Sequence, residues 1–400
     1  MKITHIHIER FRGFQNEDFE VGSLLTAIAG QNGTQKSTLL GIITQTFTLK
    51  TEDSMRVEKP LCGGSYISAF KDKFRLSPTF DKPKGHEWTI SFDAGMDDFT
   101  VESIKRTGDP NVRFWKKGAR QEGDGYISFP TIFLSLKRLV PVAEEAKIIT
   151  DDTLLTQEEL NEFKQLHNKI LIAQTPISSA TTITSKNKQS IGVSTELYDW
   201  NQNSMGQDNL GKIILALFSF KRLHDKYPRQ YKGGILAIDE MDATMYPASQ
   251  VELLKVLRKY ASKLNLQILF TTHSMSLLKA MDDLVQEVTK KEETANQAKI
   301  LYLKKVDDKI AIKQGVNFKG IQLDLNVVAE GNNRKKNRIT AYTEDKENIL
   351  FVKAILKSKA FVLDFVDVTL PCSTLMELVT KRVPAFILSL IHISDPTRPY

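Results

Sequence analysis

The stretch GQNGTQKST, Gly30 to Thr38, carries the residue types of a loop that wraps a phosphate chain. In the pattern G-x-x-x-x-G-K-[ST], successive backbone N–H groups converge on phosphate oxygens and the following helix adds its N-terminal dipole. A lysine then reaches the outer phosphates, and a hydroxyl binds Mg²⁺. Lys36 and Ser37 stand at those spacings, Gly30 and Gly33 leave the backbone room, and Asn32, Thr34 and Thr38 complete the candidate binding segment. Gln35 stands where the second glycine of the pattern belongs. It brings a Cβ to a place where phosphates pack on backbone, so its side chain must fit or turn away. Taken alone, the loop reads as a working site or as a decayed one.

Three further stretches bear on that choice. In GILAIDE an apolar run ends on Asp239 and Glu240. An aspartate ending a buried strand beside a phosphate loop holds Mg²⁺, and the adjacent glutamate orients or deprotonates an attacking water. The plainer alternative is an acidic pair that caps a strand. LFTTHS puts His273 at the end of another strand, where a neutral imidazole reaches a terminal phosphate or serves only structure. NSMGQ, Asn203 to Gln207, opens a helix with Ser204 and Gly206 at its N-terminus, a second end suited to an anion.

The elements that must position these residues are legible in the patterning. Ile3 to Ile8 alternates apolar and polar, Gly13 marks a turn, and QNEDFEV reads as the return strand. Leu24–Gly30 is a short apolar run, and STLLGIITQTF has helical spacing. Strand, loop and helix in that order are the context a phosphate loop requires. HEWTISFDAG and DDFTVESIKR read as antiparallel strands, and ISFPTIFLSL as a buried strand. Thr150 to Ile172 reads as helix, and Ser178 to Ser190, rich in Ser and Thr, as a loop or linker. GKIILALFSFKRLHDKY and SQVELLKVLRKYASKL read as helices, with GGILAIDE and LQILFTTHS as strands.

The chain has 400 residues, which predicts two or three domains. A hydrophobic content of 41% and a charged content of 26% fit a globular protein. No apolar run approaches the ~20 residues of a membrane span, and MKITH lacks the shape of a signal peptide, so a cytoplasmic protein with no membrane partner is expected. Cys62 and Cys372 are too few for a disulfide framework or a zinc site. The net charge of +7 permits nucleic-acid binding without requiring it. Ser219–Tyr227 and Gly331–Thr340 are the basic stretches that would touch DNA phosphates, or would be solvated surface.

Together the pieces resemble the ABC-type ATPases. Gly30–Thr38 is similar to the family's Walker A motif, Asn203–Gln207 to its signature, Ile235–Glu240 to Walker B, Asp242-Ala243-Thr244 to the D-loop and His273 to the H-loop. The resemblance covers about residues 1–320 and implies an α/β P-loop fold of ABC-ATPase type with an N-terminal antiparallel β-subdomain. It also implies ATP and Mg²⁺ as ligands, and a homodimer with two ATP molecules in its interface. Ser204, Gly206 and Gln207 of one subunit would grip the phosphate held by Lys36 of the other. Arg12, in ERFRGF, resembles the family's N-terminal nucleotide-contacting arginine, and Arg138, in FLSLKRLVP, lies where the Q-loop contact comes. Because Lys36, Ser37, Asp239, Glu240 and His273 are all retained, nucleotide binding is expected, with Gln35 a tolerated variant.

FRGF, TTHS and DEMDATMYP resemble the RecF/OLD-like branch, and the short insertion without heptads points to compact OLD-type and Septu-type defence ATPases. The resemblance sets residues 1–330 as the ATPase domain, with a helical insertion at about 140–200, and 331–340 as a linker. Residues 341–388 resemble the opening of a TOPRIM domain, a partial α/β segment with Glu344 as its first metal-binding carboxylate. The family's next element, a strand ending in Asp-x-Asp, has no counterpart. The last residues, SLIHISDPTRPY, resemble translated sequencing-adapter DNA, so 389–400 are read as a non-native tail and Asp395 is not counted as a ligand. The function implied is an ATPase whose dimer state controls a DNA-acting nuclease, its own or an HNH-type partner, in anti-phage defence. The alternative is a nucleotide-sensing scaffold that binds ATP without turnover.

Overall fold

A computed structural model describes residues 1–66, 73, 75–93, 95–105, 112–118, 125–139, 148–151, 154–185, 189–331, 339–357, 360 and 363–381. Two compact units divide the chain, Met1–Gln322 and Leu323–Tyr400.

The first unit begins with β1 (Ile3–Phe11), whose alternation buries Ile6, Ile8 and Phe11, and β2 (Phe14–Glu20). The wholly buried β3 (Leu25–Gly30) runs into the loop and then α1 (Lys36–Thr44). Next come β4 (Phe47–Thr48), β5 (Glu87–Phe92), β6 (Phe99–Lys105), β7 (Val112–Lys116), β8 (Ile127–Ser128) and β9 (Thr131–Leu134). A segment of β10 (Ile149–Asp151), α2 (Gln157–Leu171), β11 (Ser179–Thr184) and β12 (Gln189–Ser194) leads to α3 (Met205–Lys226). The chain then alternates through β13 (Gly234–Ile238), α4 (Pro247–Lys263), β14 (Leu266–Thr272) and α5 (Met275–Val288). It continues as β15 (Ala298–Val306) and β16 (Lys309–Gln314), and α6 (Phe318–Gly331) carries the chain past Gln322.

Two sheets position the phosphate loop. The antiparallel sheet β2-β1-β5-β6-β7 presents Phe11, Phe14, Phe19, Trp88 and Phe114 to one apolar cluster with Ile28 of β3 and Leu39, Leu40 and Ile42 of α1. The six-stranded sheet β16-β15-β3-β14-β13-β9 is parallel from β15 to β9, with β16 antiparallel at its edge. The carboxyl ends of β3, β13 and β14 therefore share one edge, where ligands of open parallel sheets bind. Gly30, Asp239 and His273 stand at those three ends. The expected α/β fold with an N-terminal antiparallel β-subdomain is the one observed.

The structure corrects two expectations. Ser178–Ser190 is not a linker: most of it forms β11 and the start of β12, paired antiparallel with β10. Its threonines are β-branched strand formers, and Ile183, Ile191 and Val193 are buried. Gly211 lets α3 approach β12, since a Cβ there would lie 3.0 Å from the Ile191 carbonyl oxygen. Among its described residues, the insertion at about 140–200 is thus a three-stranded sheet plus one α-helix rather than helical throughout. The helix read from Thr150 begins later, at a capping box in which Thr156 accepts from the Glu159 N–H and Glu159 accepts from the Thr156 N–H.

Within α2, His167 is buried and stacked on Phe163, with ring centroids 5.9 Å apart. No hydrogen bond of ordinary geometry reaches either imidazole nitrogen among the described residues, and burial takes its pKa down to about 4, weakly opposed by the neighbouring Asn168 side chain. A depressed histidine contributes stability that is present above pH 6.5 and is lost as pH falls from there toward 4. At full protonation the loss is about 3 kcal/mol. His167→Phe is expected to abolish that part of the acid destabilisation, read from urea melts at pH 7 and pH 4.5.

The second unit contains β17 (Ile339–Thr343), α7 (Lys346–Leu356), β18 (Leu363–Thr369) and α8 (Cys372–Thr380), with β17 and β18 parallel. Residues 389–400, read above as a tail, with Asp395, and most of 331–340, read as a linker, lie outside the described residues.

Candidate active site

The phosphate loop leaves β3 through Gly30, at φ 153°, where a Cβ would lie 2.5 Å from the Leu303 carbonyl oxygen. Gly33 takes φ 79° with nothing within 4 Å of where its Cβ would be. Between them and α1 lie Thr34, whose hydroxyl donates to the Gln31 carbonyl at 2.8 Å, and Gln35. Asn32 is exposed and Thr38 buried.

Gln35 is left-handed, φ 61° and ψ 32°, as the glycine of the pattern would be. Its carboxamide points to the turn between β1 and β2, accepting from the Gly13 N–H at 3.4 Å. Gly13 leaves room for this contact, since a Cβ there would lie 2.7 Å from Ile310 Cγ1 and 2.9 Å from Gln35 Nε2. The extra atoms are thus turned away from the loop, at a left-handed strain of about 1 kcal/mol. Gln35 forms no side-chain cap, so the first N–H groups of α1 are left for an anion. Gln35→Gly is expected to keep ATP affinity within about threefold and stability within about 1 kcal/mol, as relief of strain offsets glycine's unfolded-state entropy. Fluorescent-ATP titration and thermal melts check both.

Lys36 is 7% exposed. Its ammonium folds back over the loop, donating to the Gly30 carbonyl at 3.1 Å and the Gln31 carbonyl at 2.9 Å. Burial lowers its pKa, while the charges of Glu240, Asp239 and Asp242 oppose the fall. Ser37 Oγ donates to Asp239 Oδ1 at 2.8 Å, and Thr271 Oγ1 donates to the same oxygen at 2.7 Å. Thr271 Oγ1 also accepts from the Glu240 N–H at 2.6 Å. One threonine thus ties the two acidic residues of the β13 end to β14. Burial first, and the Lys36 charge second, hold His273 below the usual imidazole range, so it is neutral at pH 7. Its backbone N–H donates to Asp242 Oδ1 at 3.3 Å. Lys36, Ser37, Asp239, Glu240 and His273 are therefore gathered at one place.

The donor set fits Mg²⁺, a hydroxyl beside a single carboxylate with the remaining positions left to phosphate and water. Among the described residues, no group of three or more His, Cys, Asp or Glu is arranged to hold a metal. Glu344 is exposed at the end of β17, beside Asp345, which caps α7. Arg12, at φ 53°, makes a bidentate pair with Asp81 at 3.2 and 3.1 Å and reaches α1 at Thr38 Oγ1, 3.4 Å away.

The signature segment caps α3. Ser204 Oγ accepts from the Gln207 N–H, and Gln207 Oε1 accepts from the Ser204 N–H at 2.8 Å. Gly206 has a packing reason, since a Cβ there would lie 2.5 Å from the Thr244 carbonyl oxygen. Ser219–Tyr227 is not a free basic face. Lys221 pairs with Glu162, Arg222 with Glu159 and Lys226 with Glu58.

Arg138 is not a surface charge at a strand end but a buried side chain, 2% exposed. Desolvation takes its pKa down to about 10, opposed by the charges of Asp239, Glu240 and Asp242, and it stays cationic at neutral pH. Sequence reasoning missed two residues of the site, Asn209, bonded to Arg138, and Thr271, bonded to Asp239 and Glu240. The first threonine of LFTTHS was a signal, since a hydroxyl ending a buried strand needs a partner. Asn209 had none outside the fold.

Residues 136–278 match the AAA ATPase domain family. That stretch holds Arg138, Ser204, Asp239, Glu240 and His273, and follows the phosphate loop in the chain. The match supports an ATPase domain over those residues. No curated protein matches the sequence. Among solved structures, the SMC head domain from Thermotoga maritima is similar over 79% of this chain and 100% of its own, at 14% identity and TM-score 0.44. The Smc head domain bound to the C-terminal domain of ScpA, from Pyrococcus furiosus, is similar over 82% and 99%, at 12% and 0.45. The recombination mediator protein RecF is similar over 78% and 98%, at 11% and 0.40. No helix among the described residues is long and apolar enough to cross a membrane.

Proposed function

We propose that this chain binds and hydrolyses ATP and closes head-to-tail with a second copy around two ATP molecules. The observation that carries the reading is the bonded set Ser37–Asp239–Thr271–Glu240 beside the Lys36 ammonium. Lys36 exchanges two loop carbonyls for phosphate oxygens, and the free N–H groups at the start of α1 hold the rest of the chain of charge. Ser37 and Asp239 would hold Mg²⁺, which would supply positive charge against the phosphates. Glu240 takes the proton of the attacking water, and neutral His273 donates to the terminal phosphate. The scaffold reading rests on Gln35 alone, and that side chain is turned toward Gly13.

Ser204 and the α3 N-terminus cover the partner's phosphate in this reading. Arginine at Ser204 fills that surface without touching the loop that binds ATP in its own subunit. With Glu240→Gln as background and ATP present, light scattering is expected to give a dimer. Ser204→Arg in the same background is expected to stay monomeric and still bind ATP, its apparent affinity lowered only by loss of the dimer's contacts. A dimer of Ser204→Arg would reject the head-to-tail arrangement.

The finer reading is an ATPase of the RecF/OLD-like branch whose dimer state regulates a DNA-acting nuclease in anti-phage defence. FRGF, TTHS and the β17–α7–β18–α8 order with Glu344 at the first strand end support it. In that reading the second unit is part of a TOPRIM-like nuclease, or an HNH-type nuclease acts as partner. Phage plating on cells carrying the chain with its neighbouring genes, against Lys36→Ala, tests it.

A further inference from the structure

The turn that carries Glu240 is strained at both ends. Glu240 takes φ 50° and Thr244 takes φ 67°, and a β-branched residue in the left-handed region is a genuine outlier. Strain of this kind persists only where surrounding structure over-determines it. Two buried side chains supply that structure. Arg138 donates from Nη2 to the Glu240 carbonyl at 2.8 Å, and from Nη1 to the Leu134 and Ser135 carbonyls at 3.3 and 3.1 Å. Its Nε donates to Asn209 Oδ1 at 2.7 Å. Asn209, 0% exposed in the second turn of α3, donates from Nδ2 to the Ala243 carbonyl at 3.0 Å and to Thr244 Oγ1 at 3.3 Å. The helix that begins at Ser204 is thereby bonded to both ends of the turn that begins at Glu240. Gly206 closes the same junction against the Thr244 carbonyl.

We infer that Arg138 and Asn209 are positioning residues: a buried relay through which engagement of the Ser204 end of α3 sets the Glu240 turn of the same subunit. The inference deepens the ATPase reading and rests on it. Asn209 has two arms, acceptance from Arg138 and donation to the turn. Asn209→Asp keeps the first and removes the second, because a carboxylate has no N–H for the Ala243 carbonyl. Arg138→Lys removes the fork, since one ammonium cannot span Asn209, Glu240 and the β9 carbonyls together.

The experiment measures steady-state ATP turnover, fluorescent-ATP affinity, melting temperature and backbone hydrogen exchange of residues 239–246 in the wild type and both variants. The expected result is a kcat at least about tenfold lower in Asn209→Asp with ATP affinity within about threefold, as for a misplaced catalytic group. Faster exchange in the turn of the ATP-free variants accompanies it. Turnover within twofold of an active wild type overturns the relay, as does a parallel loss of kcat, affinity and melting temperature, which marks a merely structural pair. A wild type without turnover fails the ATPase reading instead. The relay is then decided by exchange, and an unaltered rate in the turn overturns it.

Discussion

Lys36→Ala is expected to weaken ATP binding by about 10²- to 10⁴-fold while the protein stays folded. Bonds from a charged donor contribute about 1.5–3 kcal/mol each, and the ammonium is close enough to the loop to make two. In the ATP-free protein its bonds go to the Gly30 and Gln31 carbonyls, which face the loop and regain water when the side chain is cut back. Removing a desolvated cation from beside Asp239, Glu240 and Asp242 raises repulsion among the three acids, so a modest fall in melting temperature accompanies the loss. Calorimetric titration with ATP and Mg²⁺ reads the affinity. Unchanged affinity in a folded Lys36→Ala protein would remove the phosphate-loop reading.

Glu240→Gln is expected to lower kcat by about 10²- to 10⁴-fold, the usual contribution of a positioned general base. ATP affinity stays within about threefold, because the carboxylate acts on water rather than on the bound phosphates. The fold tolerates the change for a specific reason. The contacts that hold residue 240 are made by its backbone, the N–H to Thr271 and the carbonyl from Arg138, and glutamine keeps both. The variant therefore accumulates the ATP-bound dimer, which is why it serves as the background for Ser204→Arg. Equal turnover in wild type and variant would move the base elsewhere.

Much of the site was legible because its residues lie at the ends of short apolar runs. LLTAIAG and GILAIDE are buried on every side, read as strands, and deliver Gly30 and Asp239 to the same sheet edge. The conformation of Gln35 was half legible. The pattern marks its position as one for glycine, but only the turn at Gly13 decides where the side chain goes. The hairpin at Ser179–Ser194 was hidden because its serines favour turns while its threonines favour strands, and its burial comes from α3, outside the stretch itself. Arg138, Asn209 and Thr271 were beyond local reasoning. Arg138 meets Asn209 across 71 residues and Glu240 across 102, and no local periodicity records such a bond.

The most direct measurement of the central claim is a crystal structure of the full chain with a non-hydrolysable ATP analogue and Mg²⁺. The account predicts the triphosphate over the N-terminus of α1, with Lys36 Nζ moved from the Gly30 and Gln31 carbonyls onto phosphate oxygens. It predicts Mg²⁺ at Ser37 and Asp239, and Ser204 of a second copy closing over the terminal phosphate. A nucleotide bound elsewhere, with Lys36 still on its own loop, would contradict it.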